Sequence, residues 1–315
     1  MNTAMKKKKS NLYRKLILIL TFWTLIKAYN NFVFQRSSHH SKMATTGNSH
    51  TPLLHLGRKE GTHIIMNIGS NVDPIIPRPT DDPCTVAIAF EPVVSHLIPK
   101  HPALHVIPAA VTGDDNGWAA MNIYNRKGVS SSLSKASYEA NWNKHTELKI
   151  VPTIGFRKIL ESLRGYKIDF ILTDMQGHDF AAVSSVGNLL AEVGVKRIVT
   201  EVYKDKVNTY KGVQNDLCEN WLPHMKKKGY VFEGLSKNHC FETLVEGYRD
   251  AQEIEETCKV STVKMEELKA GLNEYNALWR LKIEAASDNL GIYQYGTTRD
   301  TVHKFSPEDY AKCLS

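Results

Sequence analysis

The stretch THIIMNIGSN, residues 62–71, decides the fold. Its apolar run is short and ends in a glycine, which is typical of a buried strand followed by a tight turn. Two further apolar runs follow it, TVAIAF at residues 85–90 and HVIPAAV at residues 105–111. Strands that are apolar throughout and alternate with helices predict an α/β domain, in which a mostly parallel sheet is covered by helices on both faces.

The rest of the chain continues this alternation up to about residue 232. Residues 250–285 are charged and helix-prone, and the tail after Gly291 is irregular. Short apolar or alternating runs predict strands, whereas apolar residues spaced as on one helix face predict helices. The predicted strands are 118–124, 148–152, 168–174, 197–202 and 229–232, and the predicted helices are 155–163, 180–190 and 216–228.

The N-terminus is basic and then apolar. Residues 1–50 contain nine Lys and Arg and no Asp or Glu, so the formal charge of +7 becomes −2 for the rest of the chain. The basic balance therefore belongs to the tail, and we expect no nucleic-acid partner. The apolar run at residues 16–26 fits a single-pass signal-anchor, a cleaved signal peptide or an interfacial anchor. We favour the signal-anchor because no small-x-small cleavage site follows closely.

Four regions follow from these patterns. They are a basic N-terminus with a membrane-anchor helix (1–34), a flexible stem or linker (35–60), the folded α/β domain (61–248) and a C-terminal helical extension with a tail (249–315). A signal-anchor would tether the protein to a membrane of the secretory pathway with its folded domain in the lumen. Cleavage would make the protein secreted instead.

The five cysteines form no CxxC pair, which argues against a zinc or redox motif. Their odd number and wide spacing are typical of buried or surface thiols. One pair, such as Cys218 with Cys240, could form a disulfide in an oxidising lumen.

Polar residues stand where several predicted strands end. Gly69 would allow a tight turn and a close approach of a ligand to the backbone. Glu91 ends the second strand, where an acidic residue can accept hydrogen bonds from both ribose hydroxyls of a nucleotide-like cofactor. Asp174 and Glu201 end two later strands on the same rim, outside which open α/β sheets bind ligands. Asp179 is placed to cap the next helix.

The order of these pieces resembles the FkbM family of methyltransferases over roughly residues 62–235. The resemblance implies a Rossmann-like class I fold, S-adenosyl-L-methionine as the donor, and usually O-methylation of a hydroxyl on a glycan or small molecule. It rests on NIGSN (67–71), AFEP (89–92), IPAAVT (107–112), GDDNG (113–117), SSSL (130–133), DMQGHD (174–179) and TEV (200–202).

The resemblance also implies a cofactor site. Gly69 and Asn71 would line the methionine part of S-adenosyl-L-methionine. Glu91 would hold the ribose, and Ala110 and Val111 would lie near the adenine.

Three positions depart from the family pattern. Asn67 and Gln176 stand where acidic residues are usual, and Asp73 stands where glycine is usual. Asn67 can still hydrogen-bond the cofactor, but it lacks a charge that would attract the cofactor's amino group, and Asp73 can restore that charge. Asp174 and Gln176 are implied near the transferring methyl group and the acceptor.

A hydroxyl acceptor benefits from a general base, for which His178 and Asp174 are the candidates. Unperturbed histidine titrates near neutral pH. Asp174, His178 and Asp179 could instead bind a divalent metal, although carboxylates without a fuller ligand set make poor sites, so we expect no metal. Two other functions stay open: a catalytically inactive cofactor-binding or interaction protein, and a nicotinamide-dependent oxidoreductase. Against the latter, the first turn has only one of the three glycines of GxGxxG.

Overall fold

The structure is a computed structural model of the chain. The chain divides into two compact units, Met1–Thr51 and Pro52–Ser315. The described residues all belong to the second unit, so the predicted membrane-anchor helix and nearly all of the stem lie outside them. No helix in the described part is long and apolar enough to cross a bilayer. The structure describes residues 56, 59, 61–78, 81–94, 98, 100–113, 117–124, 130–137, 144–203, 210–235, 251–260 and 274–282.

The described strands form two sheets, one of seven strands and one of three. Most strands of the larger sheet are buried on both faces, because their side chains alternate between the two sides and are apolar on both. In chain order the strands are β1 (His63–Ile68), β2 (Thr85–Phe90), β3 (Leu104–Ile107), β4 (Ala110–Thr112), β5 (Gly117–Tyr124), β6 (His145–Gly155), β7 (Lys167–Thr173), β8 (Arg197–Tyr203), β9 (Tyr230–Leu235) and β10 (Glu274–Leu281).

The strand order of the larger sheet is β3-β2-β1-β7-β8-β10-β9. Its pairs are parallel except for the two that β10 makes, with β8 and with β9. The direction in which the chain adds strands reverses at β1, which has β2 on one side and β7 on the other. A crevice is expected outside the carboxyl ends of the strands at such a reversal.

All the described helices contribute to one apolar cluster on one face of this sheet. Ile64, Met66 and Ile68 of β1 point into that cluster, as the two-residue period of a strand requires. The helices are α1 (Phe156–Ser162), α2 (Asp179–Ser185), α3 (Leu189–Glu192), α4 (Leu222–Lys227), which continues a π-helical turn at Leu217–Trp221, and α5 (Ala251–Val260).

The opposite face differs from the prediction of helices on both sides. Ile65 and Phe170 form a cluster there with Ile75, which lies in the extended segment after β1, and no described helix contributes to it. Pro74 and Pro77 keep this segment from forming a helix, because proline lacks an N–H group and disfavours helical backbone in the residue before it.

The predicted third strand over residues 105–111 is in fact two strands. Pro108 separates them, so that β3 pairs with β2 in the larger sheet and β4 pairs with β6 in the smaller one. The smaller sheet has the order β4-β6-β5, in which β5 and β6 form a long antiparallel pair. The predicted strand at 148–152 is the middle of β6.

The helix-prone prediction for residues 250–285 is right for α5 and wrong for β10. Residues 277–279 alternate between the two faces of the sheet, with Ala277 and Trp279 in one cluster and Leu278 in the other. Nε1 of Trp279 donates a hydrogen bond to Oγ1 of Thr200 (2.9 Å). The sheet therefore continues beyond residue 248, the predicted end of the folded domain.

The predicted helix over 180–190 is divided into α2 and α3 near Gly187, whose φ is +64°. The cysteine prediction is also corrected. Cys218 and Cys258 form a disulfide, so Cys218 does not pair with Cys240. Spacing alone does not define a disulfide connectivity. Cys84 is disulfide-bonded as well.

Candidate functional site

A cavity of about 210 Å³ lies at the carboxyl ends of β1, β2 and β7, beside the reversal of strand order. Its volume is below the ~300 Å³ at which ordinary small-molecule cavities begin, so a nucleotide-sized ligand would extend beyond it. Eight of the nine predicted site residues line this cavity: Gly69, Asn71, Glu91, Ala110, Val111, Asp174, Gln176 and His178.

Asn67 is the exception. Its side chain is fully buried, and its Oδ1 accepts a hydrogen bond from the backbone N–H of Ile75 (3.1 Å). Asn67 alternates with Met66 and Ile68 along β1 and so faces the extended segment that follows the strand. Asn67 does not line the cavity, and its hydrogen bond to Ile75 fixes the segment that follows β1. Asp73, in contrast, does line the cavity.

Gly69 has a structural requirement that the sequence did not reveal. Its φ is +79°, and a Cβ atom built there would lie 1.9 Å from the backbone oxygen of Asp174. The backbone N–H of Asp174 in turn donates to the carbonyl of Ile68 (2.9 Å). The glycine therefore lets the ends of β1 and β7 approach closely, and this contact brings Asp174 to the cavity.

Glu91 is buried at the end of β2, with both carboxylate oxygens hydrogen-bonded to backbone. Oε2 accepts from the N–H of Asn71 (2.7 Å) and Oε1 from the N–H of Val93 (2.8 Å). Burial raises the pKa of Glu91, and these two hydrogen bonds oppose that rise. A carboxylate has about four lone-pair positions, so two remain for donors of a ligand.

Gln176 bridges two carboxylates. Its Nε2 donates to Oδ1 of Asp174 (2.5 Å) and approaches Oε1 of Glu201 at 3.5 Å. The backbone of Gln176 is left-handed (φ +51°), which costs an ordinary residue about 1 kcal/mol. The amide of Gln176 thus supplies donors to two neighbouring carboxylates, which a third carboxylate at this position could not do.

Two contacts to Gln176, in the loop of residues 174–179, were not predicted. Tyr210 is buried and its hydroxyl lies 2.6 Å from Oε1 of Gln176 and 2.8 Å from the carbonyl oxygen of Ser130. Oγ of Ser132 donates to the backbone carbonyl of Gln176 (2.8 Å). The SSSL motif signalled the serine stretch, but no local pattern signals Tyr210, which lies 34 residues beyond Gln176.

His178 lies at the rim of the cavity, and its Nε2 is 3.0 Å from Oγ of Ser134. Burial lowers the pKa of His178, which favours the neutral imidazole at pH 7. Asp179, expected as a helix cap, is the fully buried first residue of α2. Its two carboxylate oxygens accept from the N–H of Met175 (3.1 and 3.2 Å), and burial raises its pKa to about 6.

The described residues contain no group of three or more His, Cys, Asp or Glu that could hold a metal ion. The carboxylate of Asp179 faces the N–H of Met175.

No protein-family model, curated protein or solved structure matches the chain.

Proposed function

We propose that this protein is an S-adenosyl-L-methionine-dependent methyltransferase with a Rossmann-like fold, and that it O-methylates a hydroxyl on a glycan or small molecule. The observation that carries the proposal is the position of Glu91. Its buried carboxylate lines a cavity at the reversal of strand order, where a ribose-binding acid is expected.

The strand order favours this function over that of a nicotinamide-dependent oxidoreductase. The dinucleotide-binding fold has the order 3-2-1-4-5-6. Here an antiparallel strand, β10, stands between the fifth and sixth strands of the larger sheet. The first turn also has a single glycine, Gly69, where the dinucleotide-binding motif GxGxxG has three, which argues against an oxidoreductase as well.

The bound cofactor would supply a methyl group on a sulfonium. Glu91 would bind its ribose, while Asn71, Ala110 and Val111 line the same cavity. The protein would hold the acceptor oxygen in line with the methyl carbon and sulfur, and such alignment supplies much of the rate. His178, which burial keeps neutral, would accept the hydroxyl proton, with Asp174 as the alternative base.

The Cys218–Cys258 disulfide supports a site in an oxidising compartment, because disulfides persist in secreted and lumenal proteins. This agrees with the proposed signal-anchor and a lumenal catalytic domain. The predicted anchor itself lies outside the described residues.

The first experiment is calorimetric titration of the full chain with S-adenosyl-L-methionine. We expect micromolar binding, weakened about tenfold to hundredfold by Glu91→Ala, because hydrogen bonds to a charged group contribute about 1.5–3 kcal/mol. Glu192→Ala, at a glutamate whose side chain is 54% exposed on α3, is the control and should leave affinity unchanged. A folded protein that does not bind the cofactor would refute the proposal. Binding of NADH instead would indicate an oxidoreductase, and cofactor binding without transfer to any acceptor would indicate an inactive relative.

A further inference from the structure

A second cavity, of about 460 Å³, lies beside β5 and β6. Two lysines and a histidine line it, and no Asp or Glu is among its described lining residues. Amide and hydroxyl groups complete the polar part of the wall. These polar lining residues are Asn122, Lys135, Ser137, His145 and Lys211.

The two lysines are held next to each other by backbone contacts. The N–H of Lys211 donates to the carbonyl of Lys135 (2.7 Å), and the adjacent residues Ala136 and Tyr210 form an antiparallel bridge. Like charges directly opposite each other on paired segments are destabilising. None of the ion pairs between described residues involves either lysine. An anion between the two ammonium groups would remove this repulsion.

The wall of the cavity is also fixed. Tyr124 is 3% exposed, its hydroxyl accepts a hydrogen bond from the N–H of Ala136 (2.7 Å), and its ring meets that of His145 edge-on at 5.6 Å. The side of the cavity opposite solvent is therefore ordered before any ligand binds, which lowers the entropy cost of binding.

Two short segments connect residues of the second cavity to side chains that line the first. Lys135 directly follows Ser134, which contacts His178, and Lys211 directly follows Tyr210, which contacts Gln176. Each lysine is thus one residue away from a side chain that touches the loop 174–179.

We propose that this second cavity binds an anionic group of the methyl acceptor, a carboxylate, phosphate or sulfate carried by a hydroxyl-bearing molecule. Lys135 and Lys211 bind the anion through charge-assisted hydrogen bonds, and Asn122, Ser137 and His145 contact neighbouring hydroxyls. The assignment of the ligand as acceptor rests on the proposed methyltransferase function, whereas binding of the anion does not.

The test is calorimetric titration of the full chain with glucuronate, glucose 6-phosphate, glucose 6-sulfate and glucose. We expect at least one anionic sugar to bind at least tenfold more tightly than glucose. The double variant Lys135→Gln, Lys211→Gln should lose at least tenfold of that affinity. Lys149→Gln, at an exposed lysine on β6, is the matched control and should stay within twofold.

Two results would overturn the inference: no preference for any anionic sugar over glucose, or equal binding by the double variant. Titration of the same samples with S-adenosyl-L-methionine separates the two proposals. Anion binding that depends on the lysines, in a protein that does not bind the cofactor, supports the anion site and overturns the methyltransferase function. Cofactor binding without anion binding overturns only the second cavity's role.

Discussion

Replacement of Gly69 by alanine tests the close approach of the ends of β1 and β7 beside the proposed cofactor site. The added Cβ would stand 1.9 Å from the backbone oxygen of Asp174 and 2.8 Å from its carbonyl carbon. Both atoms belong to the backbone at the end of β7, so no side-chain rotation can relieve the clash. The ends of β1 and β7 must move apart.

Three effects lower the unfolding free energy of the Gly69→Ala variant. A left-handed φ in alanine costs about 1 kcal/mol, and loss of the hydrogen bond between Asp174 N–H and Ile68 costs about 1 kcal/mol. Displacement of packed backbone costs about 2 kcal/mol more. The sum is about 4 kcal/mol of unfolding free energy. The lower entropy of an unfolded chain with alanine instead of glycine offsets about 0.5 kcal/mol of this.

Gly194→Ala is the matched control. Gly194 has nearly the same φ, +72°, but a Cβ there meets nothing within 4 Å. Its replacement should cost only the left-handed term, less the same entropy offset, so the two variants should differ by about 3 kcal/mol. Urea unfolding followed by circular dichroism measures both. Equal losses for the two variants would show that β1 and β7 do not meet at Gly69 as described.

Three further predictions concern charge, cross-linking and catalysis. Because burial raises the pKa of Asp179 from 3.8 to about 6, the folded state binds the extra proton, and the unfolding free energy should fall by about 2 kcal/mol as pH rises from 4 to 7. Urea unfolding of Asp179→Asn at the same pH values should lack this slope. The Cys218–Cys258 disulfide joins residues 40 apart, so the double alanine variant should lose about 4 kcal/mol in chemical unfolding, and an unchanged midpoint would contradict this. If His178 is the base, His178→Ala should lower kcat by about a hundredfold or more. Ser134→Ala is the control, because it keeps the imidazole, and it should lower kcat much less than His178→Ala does. The acid limb of the wild-type pH profile should lie below 6.5, because burial lowers the pKa of His178. A loss under tenfold would remove His178 from the mechanism.

The core strands could be predicted from the sequence because β1, β2, β7 and β8 are largely buried on both faces and have mostly apolar sequences. The strand β10 could not. Its residues lie in a charged, helix-prone region, and strand pairing with β8 and β9 overrides that local preference. The same limit applies to β3 and β4, whose separation into two sheets depends on long-range pairing that a continuous apolar run conceals.

The site shows a similar division. Strand-end residues such as Glu91 and Asp174 were predictable, because the carboxyl ends of parallel strands meet on one rim. Asn67 was expected to bind the cofactor but does not line the cavity, because a motif position does not say which side of a strand a side chain occupies. Tyr210 was missed because its contact with Gln176 spans 34 residues. Local patterns identify which strand ends carry polar groups, but not which distant side chain orients them.

Backbone conformation supplies an independent indication that the first cavity is functional. Asn71 and Gln176 are the two non-glycine residues with positive φ in the described part of the chain, and both line this cavity. A carboxylate at the cavity holds each of them, since Glu91 accepts from the N–H of Asn71 and Asp174 accepts from the amide of Gln176. Left-handed backbone costs about 1 kcal/mol for Gln176 and less for Asn71, because asparagine adopts it more readily, and it persists where the surroundings over-determine it, often at ligand sites. The cost of these two conformations therefore supports a ligand site between Glu91 and Asp174, whichever of the candidate functions the cofactor titration selects.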